Sequence, residues 1–125
     1  MIVGIGVDIV EIQRIRDIID VNSDRFIDKI LNLKELKQLD SISNLDSFLS
    51  KKWAGKEAIS KAFGCGIGKE LSFHDICIDK MPNGKPFVEI LKDTVNAIVI
   101  KDINIHISFS DADNYAIAQV VIETK

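Results

Sequence analysis

Hydrophobic positions along this chain first run together, then recur every three or four residues, and at the end alternate. Ile2 to Val7 is a short apolar run containing Gly4 and Gly6, the pattern of a buried strand whose glycines let another backbone approach closely. Asp8 and Glu11 have the spacing of a capping box, and Val7 and Ile12 that of a hydrophobic staple, so a helix is expected to begin at Asp8. Ile12, Ile15, Ile18 and Ile19 supply its apolar stripe. A second helical stretch is expected from about Asp24 to Leu31, with Phe26, Ile27, Ile30 and Leu31 inward. Asn32 with Glu35 three positions on is another cap signal, opening a short helix through Leu36 and Leu39, and Ser41 to Asn44 reads as loop.

The longest helix is predicted over about Ser47 to Phe63, where Phe48, Leu49, Trp53, Ala58, Ile59, Ala62 and Phe63 recur at helical spacing. It stops at the glycine-rich Gly64-Cys65-Gly66-Ile67-Gly68. Beyond it the period shortens to two. Ile76 to Asp79 and Phe87 to Leu91 read as strands around the turn Pro82-Asn83-Gly84-Lys85-Pro86. Ile105 to Ser110 and Tyr115 to Glu123 alternate around Asp111-Ala112-Asp113-Asn114, a hairpin loop. Thr94 to Ile100 fits either period and is read as a short helix. Helices first and strands last predict an α+β fold, a single domain over 1–125 with N-terminal helices packed on an antiparallel sheet.

Composition narrows the function classes only slightly. A chain of 125 residues suits one core, and a net charge of −3 argues against a general nucleic-acid binder, which is normally basic. Cys65 and Cys77 stand twelve apart without a CxxC or zinc spacing, so reduced thiols are expected. The apolar N-terminus lacks a basic leader and ends at Asp8, unlike a signal peptide, and no run approaches the roughly 18 residues of a membrane span. A soluble cytoplasmic protein is the expectation.

Several residues carry two readings each. Asp8 suits an N-cap, yet a carboxylate between a strand and a helix start is also well placed to hold a cation. Glu57 and Lys61, four apart with Glu first, favour a surface ion pair. Gly55, mid-helix beside them, costs about 1 kcal/mol relative to Ala, and such a glycine usually means that something approaches the helix closely. The glycine loop follows a helix C-terminus, where the dipole repels anions, so a dinucleotide-binding loop is excluded. Lys69 and the turn at Lys85 offer cations and free N–H groups to a phosphate. His106, Ser108 and Ser110 share one strand face, which reads as a polar stripe or as part of a site. His74 stands at a loop-to-strand border. No Ser-His-Asp order, HExxH or Walker loop is present.

The segments GIGVDIVEI (4–12), WAGKEAISKAFGCGIG (53–68), LSFHDI (71–76), NGKP (83–86) and HISFSDADNYAIAQVVIE (106–123), in this order, resemble the holo-[acyl-carrier-protein] synthase family of bacterial 4′-phosphopantetheinyl transferases. The resemblance covers essentially the whole chain. It implies an enzyme of fatty-acid biosynthesis that moves the phosphopantetheine arm of coenzyme A onto a serine of acyl carrier protein and releases adenosine 3′,5′-bisphosphate. It implies Mg²⁺ held by Asp8 and Glu57, and coenzyme A contacts from Lys61, Gly64, Gly66, Gly84, Lys85, Pro86 and His106. Glu57 is the first candidate for the base that activates the serine, and His106 the second.

The resemblance further implies a homotrimer with pockets between subunits, and carrier-protein docking on the first helix through Arg14 and Arg25, with Arg16 a further candidate. The chain departs from the commoner pattern at Asp111, where many members have a second His, and at Asp113, usually basic. Trp53 stands for a usual Phe and Gly55 for a usual Ala. A module that binds coenzyme A or a nucleotide without turnover is the alternative function, and a small trimeric interaction protein a third.

Overall fold

The alternation at the C-terminal end of the chain sets the architecture. In the computed structural model, which describes residues 1–125, β6 (Ile103–Asp111) and β7 (Tyr115–Thr124) form a hairpin, and β7 also pairs antiparallel with the N-terminal strand β1 (Ile2–Glu11). The sheet order is β1-β7-β6. Ala116, Ala118, Val120 and Ile122 of β7 are fully buried on its inner face. Burial of Val120 and Ile122 contributes about 1.5–3 kcal/mol each. The outer face carries Ile5, Val7 and Ile9, which are 58–70% exposed.

Helix α1 (Ile12–Ile30) follows β1 directly, with non-helical backbone at Asn22 where one stretch gives way to the next. The two expected N-terminal helices are thus one element with a break. The capping box at Asn32 and Glu35 is present and opens α2 (Leu33–Leu36), after which a 3₁₀ turn, Lys37–Ser41, takes in the first residue of the expected loop. Helix α3 (Leu45–Phe63) starts two residues early because Asn44 caps it, accepting from the Ser47 N–H at 3.0 Å. It ends at Gly64 in the left-handed region, φ 79°, as the glycine loop predicts.

A second hairpin, β2 (Ile76–Lys80) and β3 (Pro86–Ile90), turns at Gly84, φ 87°. The α+β expectation holds, with N-terminal helices on an antiparallel sheet, and the core lies between α3 and the inner face of β1-β7-β6.

Two expectations fail. Thr94 to Ile100 is not a helix but a minute hairpin, β4 (Thr94–Val95) and β5 (Ile98–Val99), turned by Asn96 and Ala97 at φ 48° and 67°. The Asn96 amide donates to the Phe63 carbonyl at 2.8 Å and fixes that turn against the end of α3. Asp8 does not cap a helix. Strand β1 stays paired with β7 as far as Glu11, opposite Tyr115, so Glu11 is the N-cap and makes no side-chain cap bond. The free N–H of Ile12 is satisfied instead by the Asn114 carbonyl at 2.9 Å.

Candidate active site

The strand register decides which side chains meet. Ile5, Val121 and His106 align across the sheet, as do Val7, Gln119 and Ser108. Asp8, Ala118 and Phe109 align on the opposite, inner face.

Helix α3 lies on that inner face at unusually short range. A Cβ at Gly4 would stand 1.9 Å from the Ala62 carbonyl oxygen, and one at Gly6 1.9 Å from that of Ala58. Only glycine permits this approach. Gly55 serves the same end from the helix side, since its Cβ would meet Ile78 Cδ1 at 2.8 Å and the Phe109 ring at 2.9 Å. The two β1 glycines therefore bring Asp8 against the exposed flank of α3 that carries Glu57 and Lys61.

There Lys61 Nζ donates to Asp8 Oδ1 at 2.9 Å and to the Val7 carbonyl at 3.0 Å. The surface pair expected between Glu57 and Lys61 is thus replaced by one from Lys61 to the strand. Burial, and next the Asp8 carboxylate, push the Glu57 carboxyl above its ordinary pKa range, while Lys61, Arg14 and Lys29 pull it back. The carboxylates of Asp8 and Glu57, borne by facing elements and partly open to solvent, offer hard-oxygen donors of the kind Mg²⁺ takes. Such an ion takes one or two protein carboxylates and completes its shell with water and substrate phosphate. No cluster of three or more His, Cys, Asp or Glu side chains able to hold a metal occurs in the chain, so a closed protein cage is not formed.

Gly64 and Gly66, both at positive φ, follow α3 one turn beyond Lys61. Their loop is closed by N–H bonds from Cys65 and Gly66 to the Ser60 carbonyl. The docking candidates Arg14 and Arg25 are exposed on α1. Arg14 and Lys29 lie over the Trp53 ring at 5.9 and 5.8 Å, and Trp53 is one turn before Glu57 on α3. Arg16 is held by Asp46 at 2.7 Å, tying α1 to the start of α3.

The other candidates lie elsewhere on the chain. His106 is on the outer face of the sheet, hydrogen-bonded to Glu123 at 2.8 Å, and does not join Asp8 and Glu57 within one chain. Gly84 and Pro86 line a cavity of about 730 Å³ together with Asn44, Lys51, Lys52 and Ser108. Lys85 is exposed at the tip of that hairpin, its N–H donating to Asn83 at 3.0 Å. Asp111 pairs with Lys51 at 3.4 Å beside the cavity, whereas Asp113 makes no ion pair.

Sequence reasoning missed Lys51, Lys52 and the charge network behind them. Lys56 is fully buried, its Nζ donating to Glu35 at 2.5 Å and to the carbonyls of Ile30 and Phe73 at 2.6 and 2.9 Å. Glu35 also accepts from the Ile78 N–H at 3.0 Å and faces Lys52 at 3.3 Å, and Lys52 in turn donates to Gln38 and the Ile78 carbonyl. Burial pushes both lysines below the ordinary range, against the opposing pull of Glu35. The signal was in the helical period, since Lys56 falls in the apolar row between Leu49 and Ile59.

The family model of the 4′-phosphopantetheinyl transferase superfamily matches residues 4–120. A holo-[acyl-carrier-protein] synthase of a Geobacillus species is 46% identical over 125 residues, covering 98% of both chains. The crystal structure of such a synthase from Bacillus anthracis in complex with CoA (3′,5′-ADP) superposes with a TM-score of 0.83 at 38% identity, over 100% of this chain and 99% of that one. One from Helicobacter pylori in complex with coenzyme A gives a TM-score of 0.81 at 35% identity, over 95% and 99%. With its glycine-spaced strand, its carboxylate pair and matches of this extent, the chain belongs to the 4′-phosphopantetheinyl transferase superfamily.

Proposed function

We propose that the whole chain acts as one transferase domain that moves 4′-phosphopantetheine from coenzyme A to a serine of apo acyl carrier protein. The observation that carries the reading is the bond from Lys61 to Asp8 at 2.9 Å, which sets the Asp8 carboxylate against the flank of α3 that also carries Glu57. Asp8 and Glu57 would hold Mg²⁺, which would supply counter-charge to the diphosphate as transfer proceeds.

The serine Oγ forms a bond to the β-phosphorus as the bond from that phosphorus to the bridging oxygen breaks. Adenosine 3′,5′-bisphosphate leaves with the electron pair, and the serine proton passes to a base. Glu57, on the exposed flank of α3 beside Lys61, is the first candidate for that base. His106 is the second candidate and, given its place on the outer face, acts only on a neighbouring chain's substrate. Lys61, Gly64 and Gly66 contact coenzyme A from one side. The hairpin of Gly84, Lys85 and Pro86, with the basic cavity beside it, contacts its nucleotide from another. Arg14 and Arg25 receive the acidic carrier protein.

Assembly follows from the same placement. The acidic pair and the basic cavity do not share a wall within one chain, and the outer face leaves Ile5, Val7 and Ile9 exposed. Both features support a homotrimer in which the carboxylates of one subunit and the hairpin or His106 of the next form each pocket. A cytoplasmic role in fatty-acid biosynthesis completes the proposal, and no helix of the chain is long and apolar enough to cross a membrane.

Asp8→Ala and Glu57→Ala are the direct test. Each abolishes most transfer with the fold retained, and EDTA silences the wild type until Mg²⁺ is restored. Full transfer by the Glu57→Ala variant overturns the assignment. Coenzyme A binding with no transfer by the wild type favours the non-catalytic module.

A further inference from the structure

We propose that Lys61 stands in for the metal in the free enzyme and releases Asp8 when the substrate diphosphate takes up its ammonium, so that metal and coenzyme A bind cooperatively. The inference rests on the reading of Asp8 and Glu57 as metal ligands.

Lys61 is four residues after Glu57 on α3, the spacing of a helical ion pair, yet its ammonium reaches across to the strand. It holds Asp8 Oδ1 at 2.9 Å and the Val7 carbonyl at 3.0 Å. One of the Asp8 oxygens is therefore already engaged by a cation. The two partners differ in freedom. The Asp8 side chain is 16% exposed and rises from a paired strand residue, whereas that of Lys61 is 51% exposed on a flexible four-carbon stem. Lysine is the partner that can move.

Charge balance gives the sense of the coupling. Asp8 and Glu57 bring two negative charges and Lys61 one positive. A dication entering with Lys61 still on Asp8 leaves two cations side by side and the site positive, a disfavoured state. A diphosphate brings at least two further negative charges. It attracts the ammonium away from Asp8 and frees that oxygen for the metal. Other cations act on Glu57, namely Arg14 and Lys29, but Lys61 alone is bonded to Asp8. Since coupling is reciprocal, the metal tightens coenzyme A by the factor with which coenzyme A tightens the metal.

The test is Mn²⁺ binding, followed by the loss of the free-ion electron paramagnetic resonance signal, on the full chain with and without coenzyme A. Without coenzyme A, Lys61→Met binds Mn²⁺ about three- to fivefold more tightly than the wild type, the range set by a part-exposed ion pair. The tightening produced by coenzyme A shrinks in that variant, and Lys61→Arg restores the wild-type behaviour. Circular dichroism confirms that each variant is folded. Unchanged or weaker Mn²⁺ binding by Lys61→Met, with binding lost in Asp8→Asn, overturns the inference alone. Undiminished Mn²⁺ binding by Asp8→Asn overturns the metal-ligand reading and the inference with it.

Discussion

Gly6→Ala tests the contact on which the site is built. The new Cβ would lie 1.9 Å from the Ala58 carbonyl oxygen and 2.9 Å from both the Ala58 carbonyl carbon and the Ala62 nitrogen. All three are backbone atoms of α3, so no side-chain rotation relieves the clash. Strand and helix must separate by about 1.5 Å to regain ordinary contact. Overpacking of this kind costs about 3 kcal/mol, at the upper end of its range because rigid backbone opposes it. For a domain of this size that lowers Tm by about 10–15 °C. Opening β1 from α3 also withdraws Asp8 from Glu57 and Lys61, and misplacement by about 1 Å costs on the order of 100-fold in rate. Circular dichroism melts give the first quantity, and transfer rates measured well below the variant's Tm give the second. Gly68→Ala is the control, since nothing lies within 4 Å of its Cβ and its φ is not left-handed. A Gly6→Ala protein with native Tm and native rate would refute the reasoning.

Three further outcomes follow from the same geometry. Lys56→Met leaves buried Glu35 with Lys52, at 3.3 Å, as its one cationic partner, so the urea midpoint should fall by the equivalent of about 3 kcal/mol, and an unchanged midpoint would show the network to be energetically idle. Glu57 has a folded pKa raised by burial, so the folded state binds more protons and its stability falls as pH rises from the ordinary glutamate pKa through the raised value. Metal-free Glu57→Gln should therefore melt slightly above the wild type at neutral pH, with the difference vanishing in acid, and Mg²⁺ should stabilise only the wild type. Arg14→Glu should raise KM for carrier protein about tenfold and leave that for coenzyme A nearly unchanged, with weaker carrier binding as salt rises; equal effects on both would place Arg14 in the nucleotide pocket.

What could be read in advance was whatever local chemistry alone determines. The box at Asn32 and Glu35, the stop at Gly64 and the turn at Gly84 are each fixed by residues within a few positions, and all stand as expected. Asp8 and Glu11 carry the same kind of signal, yet pairing with β7, more than a hundred residues away, holds that stretch extended. The hairpin at Asn96 and Ala97 gave no warning, because Ala rarely adopts positive φ and the bond that fixes it comes from the end of α3. Gly4 and Gly6 announced a close approach without saying to what, and the choice of Asp8 over Glu57 as the partner of Lys61 is tertiary. The burial of Lys56 and Glu35 depends on partners from four separate elements, which no local pattern brings together.

The most direct measurement is the mass of apo acyl carrier protein after incubation with this chain, coenzyme A and Mg²⁺. The expected result is a gain of one phosphopantetheine on a serine, with adenosine 3′,5′-bisphosphate released, and no gain with EDTA or with Glu57→Ala. Carrier protein of unchanged mass in the presence of folded, coenzyme-A-bound wild type would contradict it.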